Sequence, residues 1–454
     1  MELGKHLGKG LWAFAGKGLP ALFGLAIIFL VVRHLPHEEF GAFTIIQTFY
    51  TLILVLGYAL AFQPLTKFAA ESNDATPYVV ASLTIGSVFF FVGSILIVAF
   101  RLQLGAAFDP EGKTHLETLF FYVPLLFFAG FYRNFAISFL QARYHVEKIF
   151  WIDTLYFVGT PLGLQIAQTL GRLEKTSDVL NVMVVCLLLS TILALIFTRK
   201  ILPHTLYFDR WAFSQMWRYG RYTFGGAATY SLYSQMDVLF VSSYAGLVAV
   251  ATYNAAKILT RLFEMVAQVL QMFLVPFSSR ASAKGEIDNI RVIAEKSICF
   301  STVFLLPVSL AMLLVPETIL HFLYNGKYDN GALILRVLGL LGLAIPWNAA
   351  IVSILAGIDK IKQSFYFNIG LLALSGIGYF LLTPLLGAYG TSIAMVGSFT
   401  VITVMLVAFV QHLIPLRFLN VVRRASDMQK YLSTRIAATA RLIQEMKIKI
   451  MGGR

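Results

Sequence analysis

The chain reads as an all-α polytopic membrane protein of about twelve transmembrane helices, and three observations carry that reading. It is 58% hydrophobic and only 13% charged, where a soluble domain carries about 25% charged residues. Its mean hydropathy is +0.75. Apolar runs of about 20 residues recur along its length, each long enough to cross a hydrocarbon core of roughly 30 Å as a helix.

The runs fall near 11–32, 41–62, 79–100, 119–140, 150–170, 179–197, 222–244, 250–275, 297–316, 333–355, 365–385 and 391–413. The first comes after Lys5 and Lys9, as the core of a signal peptide would. It contains Lys17, is long and lacks a small-x-small cleavage site, so it reads as a retained span. An even number of spans puts both chain ends on one side. With the ends inside, 25 of the 36 Lys and Arg fall in inner segments and 6 in outer ones, the other five lying within spans. Basic residues accumulate on the cytoplasmic side, which places both termini in the cytoplasm of an inner-membrane protein. The same placement accounts for the net charge of +13 with no nucleic-acid partner. Cys186 and Cys299 lie inside apolar runs and indicate neither a disulfide framework nor a metal site.

The basic segment 201–221 reads as a cytoplasmic linker between two six-helix lobes, 1–200 and 222–413. Residues 414–454 form a basic tail. There Met428, Leu432, Ile436, Ala440, Ile443, Met446 and Ile450 recur at intervals of three or four. Either that tail is an amphipathic helix on the anionic inner leaflet, or it is a partly disordered basic segment. The lobes resemble each other at an offset of 210 residues. Gly10, Phe14, Gly41 and Phe43 fall opposite Gly220, Phe224, Ala251 and Tyr253, and Thr44, Gln47 and Thr51 fall opposite Asn254, Lys257 and Arg261. Six spans precede the second copy, so both copies keep one orientation, as in parallel-repeat transporters. Two pseudo-symmetric bundles facing each other across a polar cleft is the simplest architecture.

The most informative stretch runs from Asn254 to Gln271. Its polar residues are Asn254, Lys257, Arg261, Glu264, Gln268 and Gln271, at intervals of three or four, which places them on one face of a helix. A charge at the centre of a lipid-facing helix costs about 2.5–3.5 kcal/mol on insertion scales. Such a stripe therefore faces either water in a substrate pathway or a polar partner in an interhelical ion pair.

The turn Arg33-His34-Leu35-Pro36-His37-Glu38-Glu39-Phe40-Gly41, the pair Met236-Asp237-Val238-Leu239-Phe240 and Tyr253-Asn254-Ala255-Ala256, the stretch Gly326-Lys327-Tyr328 with Leu333-Ile334-Leu335-Arg336, and Ala356-Gly357-Ile358-Asp359-Lys360 followed by Thr383–Thr391 occur in order across nearly the whole chain. In these places the sequence resembles the polysaccharide (O-antigen, Wzx-type) flippases of the MOP superfamily, which also contains MATE exporters and lipid II flippases. Pro36 stands where that family commonly has Gly. The resemblance implies a MOP/MATE-like fold with two six-helix lobes around a central cavity. It also implies alternating access and transport of a polyprenyl-pyrophosphate-linked oligosaccharide to the outer leaflet.

An anionic pyrophosphate suits a pathway lined with Lys and Arg. On that reading Lys257 and Arg261 contact the head group, and Lys17 and Arg133 close the ring from the other lobe. Asn254, Glu264, Gln268, Gln271 and Gln47 complete the candidate substrate-binding set, and Gln268 and Gln271, like Tyr230, Tyr233, Gln235, Trp347 and Asn348, suit a sugar pathway. Asp237 is either the partner of Lys257 or Arg261 or, with Asn368 and Thr391, a site for a coupling Na+ or proton. No catalytic residue, cofactor or metal is expected. Membrane lipids are expected partners, and a polysaccharide polymerase is a candidate one. A MATE-type drug exporter is the nearest alternative, disfavoured because span 1 carries Lys17 and no acid. A lipid II flippase usually has fourteen spans. A membrane-embedded glycan-modifying enzyme would need polar groups at the membrane face, and neither an Asp-x-Asp pair nor a zinc-spaced His pair occurs.

Overall fold

The computed structural model describes residues 22–416 except Asn73, Glu111 and 203–206, together with Gly16, 18–20, Asn420, Val421, Arg423 and Arg424. Lys17 and the stretch 428–450 lie outside the described residues. In chain order the helices are α1 Gly18–Val32, α2 His37–Glu71, α3 Thr76–Phe108, α4 Leu116–Ala142, α5 Val146–Thr169 and α6 Thr176–Thr198. The series continues with α7 Arg210–Lys257, α8 Arg261–Ala283, α9 Ile287–Leu314, α10 Pro316–Tyr324, α11 Leu341–Gly357, which follows a short helix at Ala332–Gly339, and α12 Ile361–Gln411.

Among the described residues, nine helical runs are long and apolar enough to cross a membrane. The longest, Arg210–Ala283, has 74 residues and would extend roughly 110 Å if straight, several times a bilayer core. It is broken at Gly246, with φ 77° and ψ 178°. The run ending at Gln411 is broken at Gly387, with φ 59°. Positive φ is the conformation that only glycine adopts without steric cost. Both breaks fall where the hydropathy pattern separates two spans, at 244–250 and 385–391. Gly246 stands 210 residues after Pro36, the residue that begins α2.

The middle of α2 shows how one proline shapes its surroundings. Pro64 has no N–H and its ring crowds the carbonyl four residues earlier, which is that of Leu60. The helix answers with a π-turn at Tyr58–Phe62. The widened turn presents its carbonyls outward, where neighbouring hydroxyls replace the lost ladder donors. Thr223 Oγ1 donates to Ala59 O at 2.6 Å, and Ser82 Oγ donates to Ala61 O at 2.9 Å. The Leu60 carbonyl presses on α7 at Gly220, where a Cβ would sit 2.3 Å from the oxygen.

The chain divides into two compact units. The first comprises Met1–Ile258, Glu317–Ile334 and Leu372–Met395; the second comprises Leu259–Pro316, Leu335–Leu371 and Val396–Arg454. These units cut across the lobes 1–200 and 222–413 drawn from the sequence, because α7 packs along α2 and α3. In the first unit α4 also packs on α6, around Ala136, Leu140, Ile152 and Ala194. In the second, α8 and α9 pack on α11, around Leu270, Leu274, Ile298 and Ala350. The start of the tail is tied down there. Arg424 pairs with the fully buried Glu295 at 3.2 Å, and Asn420 donates to the same carboxylate at 3.2 Å.

The close approach at Leu60 yields a test. Gly220→Ala forces the π-turn to shift and is expected to destabilise the protein by about 1–3 kcal/mol. Gly225→Ala, five residues on, meets nothing within 4 Å and is expected to be neutral or stabilising by up to about 1 kcal/mol, as for a helix-interior glycine. Thermal unfolding of the two purified variants separates them; equal melting temperatures would contradict the packing described.

Candidate functional site

The polar stripe is not one continuous face. The α-helix ends at Lys257, a 3-10 turn spans Ile258–Thr260, and α8 begins at Arg261. In the last turn of α7, Tyr324 donates its hydroxyl hydrogen to Ala255 O at 2.8 Å. A side chain that takes a ladder carbonyl is a recognised cause of a helix break. Asn254 and Lys257 therefore belong to the first unit, while Arg261, Glu264, Gln268 and Gln271 belong to the second.

The first half of the stripe turns inward. Lys257 Nζ lies 2.6 Å from Asp237 Oδ2, with side-chain exposures of 17% and 1%, so this is a buried pair. Tyr253 donates its hydroxyl hydrogen to the same carboxylate oxygen at 2.5 Å. The Val238 N–H reaches Asp237 Oδ1 at 2.8 Å, and Lys257 Nζ also donates to Ser234 O at 2.9 Å. The pairing results from the break at Gly246: Asp237 precedes it and Lys257 comes after it by similar lengths, so the returning helix brings them level. Tyr253 and Lys257 are four residues apart and share a face. Asn254 donates to Thr44 Oγ1 at 3.0 Å, a contact between residues 210 apart that the repeat sets opposite each other. Lys257 and Asn254, expected to line a pathway, thus hold α7 to itself and to α2.

The second half stays uncovered. Arg261, Glu264, Gln268 and Gln271 are all exposed, and Phe263, Leu270 and Leu274 on the opposite face are buried. None of the four polar side chains makes a hydrogen bond or an ion pair among the described residues. Beside the polar stripe, Met265, Val269 and Met272 are exposed as well. The free surface of α8 is therefore half polar and half apolar.

Arg133 differs from the expectation. It is 6% exposed and forms an ion pair with Asp153. Its Nε donates to Ser190 Oγ at 3.0 Å, and the guanidinium lies 5.0 Å from the ring centre of Tyr156. All these neighbours are in the first unit, so Arg133 ties α4 to α5 and α6. Gln47 is half-buried, and its Oε1 has no hydrogen-bond partner among the described residues. No hydrogen bond joins the candidate cation trio among the described residues: Thr391 is buried and bonds Thr383 Oγ1 at 2.8 Å, while Asn368 is an exposed residue of the second unit.

Two features escaped sequence reasoning. Tyr253 is fully buried and completes the Asp237 cluster; its i+4 relation to Lys257 was the available signal. Lys327, between α10 and α11, donates to Val32 O at 3.3 Å and also to Leu35 O. The ammonium thereby caps the carbonyl end of α1, a favourable place for a cation. Burial pulls its pKa below the ordinary lysine value.

Comparison with known proteins places this geometry. A family model described as polysaccharide biosynthesis protein matches residues 7–282, and one described as MatE matches 223–381. An uncharacterized membrane protein of Methanocaldococcus jannaschii is 25% identical over 243 residues, which is 52% of this chain and 48% of that one; the chain spans about half the length of the curated relative it matches. Lipid II flippase MurJ, in an inward closed conformation, superposes with a TM-score of 0.75 at 15% identity, covering 93% of this chain and 92% of that one. A multidrug resistance MATE family transporter of the MOP superfamily, inward-facing, does so with a TM-score of 0.69 at 14% identity, covering 87% and 97%. At these identities the likeness is one of fold.

The buried pair makes a prediction of its own. Removing one partner strands a buried charge and costs about 3–5 kcal/mol, whereas replacing both is close to neutral. Asp237→Asn and Lys257→Met are each expected to lower the melting temperature strongly, and the double variant to recover most of the loss. A double variant as unstable as the two single losses added together would show that the charges do not act as a pair.

Proposed function

This chain belongs to the polysaccharide biosynthesis protein family of the MOP superfamily, and from that premise we propose that it flips a polyprenyl-pyrophosphate-linked oligosaccharide from the cytoplasmic to the outer leaflet of the inner membrane. The step serves surface polysaccharide biosynthesis, O-antigen of lipopolysaccharide included, and proceeds by alternating access. The protein is an integral, multi-pass membrane protein with a transporter fold; in this reading both termini are cytoplasmic, and 1–200 and 222–413 act as the lobes.

The observation that carries the reading is the uncovered stripe of α8. Arg261, Glu264, Gln268 and Gln271 would be costly against lipid; among the described residues no hydrogen bond offsets that cost, and Arg261 is attracted by the Glu264 carboxylate one turn along its own helix. A guanidinium suits a pyrophosphate oxygen through charge-assisted, bidentate bonds. The two amides and the carboxylate suit sugar hydroxyls, which both donate and accept. The half-apolar character of the same surface suits a cargo whose head is polar and whose anchor stays in hydrocarbon. Asp237 supports a structural role: its negative charge is already met by Lys257, and coupling to Na+ or H+ there would require that ammonium to leave.

The leaflet distribution of lipid-linked oligosaccharide tests the proposal in cells with and without the protein. Accumulation on the inner leaflet in its absence is the expected result. Losing a hydrogen bond to a charged group costs about 1.5–3 kcal/mol, so Arg261→Ala with Gln268→Ala is expected to slow translocation by about tenfold or more. Export at the wild-type rate by that variant would remove α8 from the pathway.

A further inference from the structure

A second feature of the first unit lies away from α8. Between α3, α4 and α6 runs a cleft of about 680 Å³, lined by Phe90, Phe91, Phe127, Phe128, Phe131 and Tyr132 among others. Ser87 and Ser94 also line it and are small among its phenylalanine rings. Phe91 and Phe128 on its rims are 68% and 82% exposed. The cleft runs along helices long and apolar enough to span a membrane, so a hydrocarbon chain is what borders it.

Beyond the cleft's lining, the helix faces that form it lead to a charge. On α3, Ser87, Phe91, Ser94, Val98 and Arg101 succeed one another at intervals of four, three, four and three, which is one helix face. On α4, Phe121, Pro124, Phe128 and Phe131 do the same. The two stripes meet where the Arg101 guanidinium lies 4.9 Å from the ring centre of Phe121. Arg101 Nη1 donates to Val98 O at 3.0 Å, which limits the swing of the head, and Arg101 makes no ion pair among the described residues. The result is an aromatic channel with a guanidinium about two turns beyond its lining, on the same face of α3.

We propose that this cleft is a binding site for an anionic phospholipid, its phosphate on Arg101 and one acyl chain laid along the aromatic channel. The energetics divide the roles. Moving an acyl chain from bilayer to cleft gains little, because lipid tails are as apolar as the side chains that replace them. Headgroup selection therefore rests on the charge of Arg101: both lipids offer it a phosphate, but the ammonium of phosphatidylcholine offsets that charge and phosphatidylglycerol has none. Occupancy rests on shape, and so on the small Ser87 and Ser94.

The test uses the full chain, purified in detergent, stripped of lipid and offered phosphatidylglycerol and phosphatidylcholine of identical chains in equal amounts, with bound lipid read by native mass spectrometry. One arginine near a lipid phosphate is expected to favour phosphatidylglycerol by about fivefold. Arg101→Gln is expected to bring the ratio toward one while both lipids still bind; Ser94→Phe, which fills the channel, is expected to reduce retention of both. Equal retention of the two lipids by the native protein, or an unchanged preference in Arg101→Gln, overturns the assignment. A wild-type experiment guards against variants that misfold. Phosphatidylglycerol carrying a diazirine on its acyl chain is expected to crosslink to 87–94 and 124–132. Crosslinks spread evenly over the lipid-facing helices, or protein–protein crosslinks showing that a second copy covers this face, would equally overturn it.

Discussion

The carboxylate of Asp237, met inside the first unit by Lys257 and Tyr253, governs what the rest of the polar stripe can do. Two charges and a phenol gathered in a dry interior are stable only as a set, because each alone would be stranded. That set holds the two arms of α7 together across Gly246 and fixes the last turn before the chain enters the 3-10 segment at Ile258–Thr260. Residues beyond the break are released from those partners. The same run of sequence therefore yields a structural half, Asn254 and Lys257, and an uncovered half, Arg261 to Gln271.

A similar economy recurs in α2. Pro64 removes a donor and displaces a carbonyl, and the consequence is local: a π-turn, two hydroxyls from Ser82 and Thr223, and a glycine at 220 where nothing larger fits. In both places a break in helical regularity is satisfied by named partners, so backbone polar groups in a membrane span are not left bare. Such breaks also set where a helix can bend.

Much of the fold was legible in the sequence, for physical reasons. An apolar run of about 20 residues has few structures available besides a spanning helix, and Gly246 and Gly387 fall in the short gaps between runs. The 210-residue offset set Thr44 opposite Asn254, and the two side chains touch. The site was legible only in part. Periodicity identifies a face on the assumption that the helix is continuous, and the 3-10 turn at 258–260 follows a carbonyl taken by Tyr324, some seventy residues away. Arg133 looked like a pathway cation because its partner Asp153 lies on another helix, at a separation that no period reveals. Asp237 and Lys257 were candidates for each other, but choosing Lys257 over Arg261 required the hairpin that Gly246 makes.

Water access along α8 is the most direct test. In a chain lacking the two buried cysteines, Cys186 and Cys299, single cysteines would be placed at 254, 257, 261, 265, 268, 269 and 271 and challenged with a membrane-impermeant thiol reagent from each side. Only a hydrated thiol ionises and reacts. Reaction at 261, 268 and 271, with protection at 254 and 257, is the predicted result. Protection at 261, 268 and 271 from both sides, equal to that of the neighbouring apolar positions 265 and 269, would contradict a water-facing stripe on this helix.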